Sequence, residues 1–155
     1  MKRREFITLL GGAAAWPLAA RAQQPEKVRL IGVLVGVADD PQGQARVTAF
    51  RNGMHALGWT EGRNIRFEIR FTGGDADRSR RQAADMVRLS PDLIVANGAV
   101  VIGALQQLTK TIPVVFAQVV DPVSSGFVES LARPGGNMTG FTSLDYSIST
   151  KWLEV

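Results

Sequence analysis

Four short polar loops hold the residue patterns in this 155-residue chain that could engage a small molecule. They are Gly36-Val37-Ala38-Asp39-Asp40, Thr72-Gly73-Gly74, Asn97-Gly98-Ala99 and Asp121-Pro122-Val123. Asn97-Gly98-Ala99 leads straight into a helical pattern, where free backbone N–H groups and the helix dipole would favour a carboxylate or another anion. On the residues alone, the same tripeptide reads more readily as a tight strand-to-helix turn in which Gly98 supplies backbone room. Asp121-Pro122 has two readings as well: its carboxylate could accept a ligand ammonium, or cap backbone groups with Ser124 or Ser125. Asp39-Asp40 has the look of an acidic phospho-acceptor site.

Catalytic constellations are absent from the sequence. There is no G-x-S-x-G elbow, no H-E-x-x-H pair and no G-x-G-x-x-G fingerprint. The single His55 follows Met54 inside a helical pattern and reads as a surface or boundary residue. Gly135-Gly136-Asn137 reads as a turn rather than a phosphate loop. With no cysteine there is no thiolate nucleophile, no disulfide and no Cys-based metal site. The expectation is therefore a protein with no catalytic residue, no metal and no cofactor.

The elements that must position these loops follow from hydrophobic periodicity. Val28 to Val35 is nearly continuous apolar sequence, the pattern of a strand covered on both faces. Val47, Phe50, Met54 and Leu57 recur at helical spacing up to Gly58. Ile65, Phe67, Ile69 and Phe71 alternate with charged residues, which predicts a half-exposed strand at a sheet edge. Asp75 or Asp77 can cap a second helix with Ala83, Met86, Val87 and Ser90 inward, ended by Pro91. Leu93 to Ala96 reads as a strand, Val101, Ala104, Leu105 and Leu108 as a helical face, and Ile112 to Val120 as a fourth strand. A fourth helix over Ser125 to Ala132 and a fifth strand over Met138 to Thr142 complete the series. This alternation predicts an α/β fold: an open parallel sheet of about five strands with helices on both faces, joined by right-handed crossovers. In such a sheet the ligand meets the carboxyl ends of the strands, where the four loops fall.

The amino terminus supplies an address. Lys2-Arg3-Arg4, an apolar stretch of about fifteen residues and Ala20-Arg21-Ala22 form a basic region, a core too short to span a bilayer, and an A-x-A cleavage site. Arg3-Arg4 with Phe6 resembles the twin-arginine type. Residues 1–22 are thus expected to be a signal peptide cleaved after Ala22, with the mature chain in the periplasm, where no kinase or ATP would serve a phospho-acceptor at Asp39-Asp40. Four of the 18 basic residues and one of the 14 acidic residues lie in that segment, leaving 14 against 13. So even a balance gives a nucleic-acid partner no support. The absence of cysteine also excludes a lipid-anchored lipoprotein, whose attachment requires one at the cleavage point.

Several of these residues carry a resemblance. Ile31-Gly32-Val33-Leu34, Gly53, Leu57-Gly58, Glu61-Gly62, Pro91-Asp92-Leu93-Ile94-Val95, Pro113 to Phe116, Asp121-Pro122-Val123, Gly126, Ser130 to Asn137 and Thr139-Gly140 resemble the ABC-transporter substrate-binding proteins of the tryptophan/tyrosine-type uptake family. The resemblance implies a periplasmic-binding-protein fold of two lobes with a flavodoxin-like strand order, clamping a small solute, an aromatic amino acid or a related compound, in the cleft between them. It places 23–142 as the first lobe and 143–155 as the start of the crossover to a second. By position, the solute would meet Gly36, Val37, Asn97, Gly98, Ala99, Asp121 and Pro122. Where family members often carry Thr or Ser after the third strand, this chain has Gly98-Ala99-Val100, leaving backbone donors to serve. The implied partners are a small-molecule solute and the membrane permease of an ABC transporter, with the binding protein a monomer. Alternatives on the residues alone are an exported sensory lobe docking on a receptor, or an exported hydrolase using Asp121 as base.

Overall fold

The structure, a computed structural model, describes residues 27–144. The segment 1–22 expected to be a signal peptide, its expected cleavage site, and the tail from Asp145 lie outside the described residues. Five strands and three helices follow in the order β1 (Arg29–Val35), α1 (Pro41–Ala56), β2 (Ile65–Phe71), α2 (Ala76–Arg88), β3 (Leu93–Asn97), α3 (Ala99–Leu108), β4 (Val114–Val120) and β5 (Met138–Leu144). All pairings are parallel and the sheet order is β2-β1-β3-β4-β5. This is the predicted α/β sheet in the flavodoxin-like order, with β2 at an edge as its alternation required.

Local chemistry sets the element ends. Asp40 caps α1 by accepting the Gly43 N–H at 2.7 Å, and Pro41 opens the helix where its missing N–H costs nothing. Asp75, not Asp77, caps α2 through the Arg78 N–H at 2.6 Å. Two faces of the sheet form separate cores. On one, α2 and α3 bury Ala83, Met86, Val101, Ile102 and Leu105 against Leu34, Ile94, Val114 and Phe116. On the other, α1 lays Val47, Phe50 and Met54 over Ile31, Val33, Val35 and the apolar side of β2. This second face thins out beyond β3: Phe141 on β5 is 75% exposed.

Three expectations need correction. Leu57 lies just beyond the carboxyl end of α1 as its cap, is 77% exposed, and contributes nothing to the inner face. Ser90 lies beyond the end of α2, is exposed, and takes a left-handed conformation (φ 49°). The predicted helix over Ser125 to Ala132 does not form; the segment is a series of turns. Gly126 at φ 71° breaks the first turn, and the Glu129 and Ser130 N–H groups donate forward to the Pro134 and Arg133 carbonyls. A helix would require those donors to bond backward, four residues up the chain. Val128 still reaches the α2/α3 core, so this linker covers the sheet without being helical.

Candidate functional site

At the carboxyl ends of β1 and β3, Gly36 and Asn97 stand side by side. The pairing register continues to Val35 and Asn97, which sets the Asn97 side chain beside the turn that leaves β1. Its Oδ1 accepts the Gly36 N–H at 2.5 Å. Gly36 is obligatory at this spot, because a Cβ there would lie 2.5 Å from the Asn97 carbonyl oxygen. Gly98 follows at φ 88°, a conformation costly for other residues, and a Cβ there would lie 3.6 Å from the Gly36 Cα. The structure thus brings together Gly36, Asn97 and Gly98 of the predicted set.

Gly98 caps α3 without a side chain to bond the first turn, and the first intrahelical bond is that of the Ile102 N–H to the Gly98 carbonyl. The amides of exposed Ala99 and its neighbours therefore retain donor capacity at the positive end of the helix. Val37 lies in the same loop as Gly36, where its carbonyl accepts the Gly73 N–H at 3.0 Å and its side chain joins the α1 core. The adjacent Thr72 hydroxyl is fully buried with no hydrogen-bond partner among the described residues.

Asp121 and Pro122 occupy the end of β4 and have local partners. Oδ1 of Asp121 accepts the Ser124 N–H at 3.0 Å, and that bond, followed by the Ser124 hydroxyl, holds the carboxyl below its usual range. Pro122 is buried and its carbonyl accepts the Phe127 and Val128 N–H groups. An acid held ionised in this way is poorly matched to general-base work, which calls for a pKa near the working pH. The Asp39-Asp40 pair is likewise engaged in starting α1: Asp40 is the cap, and Asp39 accepts from the Gln44 side chain. No group of three His, Cys, Asp or Glu side chains among the described residues is arranged to hold a metal ion.

Two residues that sequence reasoning passed over complete the site. Gln118 sits at an irregularity in β4, where the pairing with β5 shifts between Ala117 and Val119 and its own φ is 56°. Its Oε1 accepts from Arg46 Nη1 of α1 at 2.6 Å and from Asn97 Nδ2 at 3.2 Å. The three side chains rim a groove of about 230 Å³ whose floor and walls are apolar, including Val33, Val47, Phe50, Val95 and Ala117. The only hint in the sequence is a polar residue inside an apolar strand; Arg46 gives none. Complete small-molecule sites run to about 300–1,000 Å³. This groove is smaller than that range.

Comparison with known proteins identifies the family to which the fold belongs. A tyrosine-binding protein of Clostridioides difficile is 33% identical over 106 residues, covering 68% of this chain and 30% of the relative. Among solved structures, a conserved domain protein from Vibrio cholerae superposes with a TM-score of 0.71 at 30% identity, covering 83% of this chain and 43% of the other. A Streptococcus pneumoniae ABC domain in complex with L-Trp gives 0.68 at 26% identity, covering 75% and 39%. The chain thus spans less than half the length of each of these proteins. Residues 30–154 match the ABC transporter substrate binding protein family. With its parallel sheet and most of its length matched, this chain belongs to that family, a family of binding proteins rather than enzymes.

Proposed function

We propose that this chain forms one lobe of an extracytoplasmic solute-binding protein that captures a small molecule at the carboxyl ends of its strands for uptake by an ABC permease. The observation that carries the proposal is the convergence of Gly36, Asn97 and the open amino terminus of α3 beside an apolar groove. Val37, Ala99 and Asp121-Pro122 would line the same rim. The names of the relatives, one binding tyrosine and one crystallised with L-Trp, favour an aromatic amino acid as the solute. Export by the twin-arginine signal with cleavage after Ala22 would place the protein in the periplasm, and no described helix is long and apolar enough to cross a membrane. A monomer suffices for the role, with the permease as the macromolecular partner.

A single lobe offers about half the contacts of a closed cleft, so binding by this chain should be weak, in the millimolar range. At tenfold excess over the dissociation constant, a solute stabilises the folded form by about 1.4 kcal/mol, which raises Tm by a few degrees. L-tryptophan at tens of millimolar is the first probe, with glycine as the control. A Tm unmoved by any amino acid would overturn the proposal, and micromolar affinity would overturn the half-site argument.

A further inference from the structure

Hydrogen-bond bookkeeping around Gln118 fixes which groups face the groove mouth. Arg46 carries donors only, so the Gln118 atom against it at 2.6 Å must be the amide oxygen. That same oxygen takes Asn97 Nδ2, whose own oxygen is committed to the Gly36 N–H. The direction of every bond in the chain is therefore determined. What is left over is one-sided: the Gln118 NH2 group and four of the five guanidinium N–H donors of Arg46 have no acceptor among the described residues. No carboxylate among the described residues stands within ion-pair distance of Arg46, as is also true of Arg63, Arg66, Arg78, Arg81 and Arg133; what sets Arg46 apart is that it meets Gln118 at the rim of the groove.

Both side chains are exposed and rim the apolar groove. The distortion in β4 is what turns Gln118 toward Arg46: the strand register breaks at this residue, which bends the strand and re-aims a side chain. A planar guanidinium beside a primary amide presents parallel N–H groups that match the two oxygens of a carboxylate.

Resting on the solute-binding reading above, we infer that Arg46 and Gln118 are specificity-determining residues that hold the acid group of the solute, with the apolar remainder over the Val95 and Ala117 side of the groove. Asn97 is a positioning residue, orienting the Gln118 amide from behind.

The test titrates the full chain, labelled for amide NMR, with three indole probes that differ in the charged groups they carry: L-tryptophan with carboxylate and ammonium, indole-3-propionate with the carboxylate alone, and tryptamine with the ammonium alone. The two carboxylates should shift the Gln118 side-chain amide, and tryptamine should not. Arg46→Met and Gln118→Ala should each weaken both carboxylates at least tenfold while leaving tryptamine unchanged, and Arg46→Lys should retain part of the affinity. Gln118→Glu keeps an acceptor for Arg46, and therefore the local fold, yet should abolish carboxylate binding. Tryptamine binding as well as tryptophan, or unchanged tryptophan affinity in Arg46→Met and Gln118→Glu, would overturn the inference while leaving the solute-binding proposal intact. If no probe shifts any strand-end amide, the parent proposal falls and this one with it.

Discussion

Replacing Asn97 by Ala removes one acceptor and one donor from the strand ends, and the structure gives the cost of each. The acceptor serves the half-buried Gly36 N–H at 2.5 Å. Leaving a buried donor unpaired costs about 1–3 kcal/mol, and partial access of water at Gly36 puts this case in the lower half of that range. The donor reaches the exposed Gln118 oxygen at 3.2 Å, which Arg46 still holds, so its loss adds only a few tenths of a kcal/mol. The sum is about 1–2 kcal/mol. Urea denaturation should show it as a lower midpoint at constant slope, and the Gly36 amide should exchange roughly tenfold faster, since ~1.4 kcal/mol is a factor of ten. Asn97→Asp is the informative partner. It keeps an acceptor for Gly36 and sets a negative charge near the amino end of α3, so its stability should stay within about 0.5 kcal/mol of the parent chain. Its added charge should nevertheless weaken tryptophan binding. An Asn97→Ala protein less than about 0.5 kcal/mol destabilised, with Gly36 exchange unchanged, would refute the idea that this side chain ties β1 to β3 at the site.

Two further outcomes follow from backbone geometry and charge. Gly53 lies inside α1 with nothing within 4 Å of where a Cβ would stand, so Gly53→Ala should stabilise by about 0.5–1 kcal/mol in thermal or urea unfolding, whereas Gly36→Ala, meeting the rigid Asn97 carbonyl at 2.5 Å, should destabilise by about 1–3 kcal/mol. Asp92 accepts the Leu30 N–H at 2.9 Å and the Arg29 and Lys27 side chains, and these bonds, the backbone one foremost, lower its pKa from 3.8 to about 2. A depressed carboxylate contributes stability that is complete above the unfolded pKa and lost as the pH falls through the folded one. Discounted for screening at the exposed basic partners, the contribution is about 1–2 kcal/mol. It should vanish between pH 4 and pH 2, and Asp92→Asn should flatten the pH dependence of the urea midpoint over that window. A midpoint equally steep with pH in both proteins would contradict the assignment.

The sheet was legible in the sequence where periodicity and burial coincide. The continuous apolar run of β1 reflects a strand covered on both faces, β3 is buried on one face and half-covered on the other, where Val95 lines the groove, and the alternation of Ile65 to Phe71 reflects an edge. What periodicity could not separate was a helix from a set of turns between Ser125 and Ala132. There Phe127 and Val128 face the core as a helix would place them, but Gly126 and Pro134 redirect the hydrogen bonds. The Gly36-Asn97-Gly98 part of the site was legible because parallel strands end on one side of the sheet. Arg46 was not, because its approach to Gln118 depends on how α1 crosses the strands. Gln118 left only the mark of a polar residue inside an apolar strand, and the distortion in β4 that aims it toward Arg46 has no further signature in the sequence.

That distortion also indicates how the molecule divides its tasks. Gln118 and Asp121 both hold left-handed backbone conformations, at φ 56° and 48°, each costing about 1–3 kcal/mol in a non-glycine residue. They persist because the residues around them are anchored on the opposite face. Phe116 and Val119 are buried to within 1% and pack into the α2/α3 core. Truncating Phe116 to Ala would remove about 3–5 kcal/mol of packing and release the strain with it. The rim side chains Arg46 and Gln118, by contrast, contribute exposed donors and little burial. The larger buried cluster thus lies on the α2/α3 face, and the proposed recognition groups lie on the α1 side of the strand ends. Substitutions at the rim should alter what the lobe binds before they alter whether it folds.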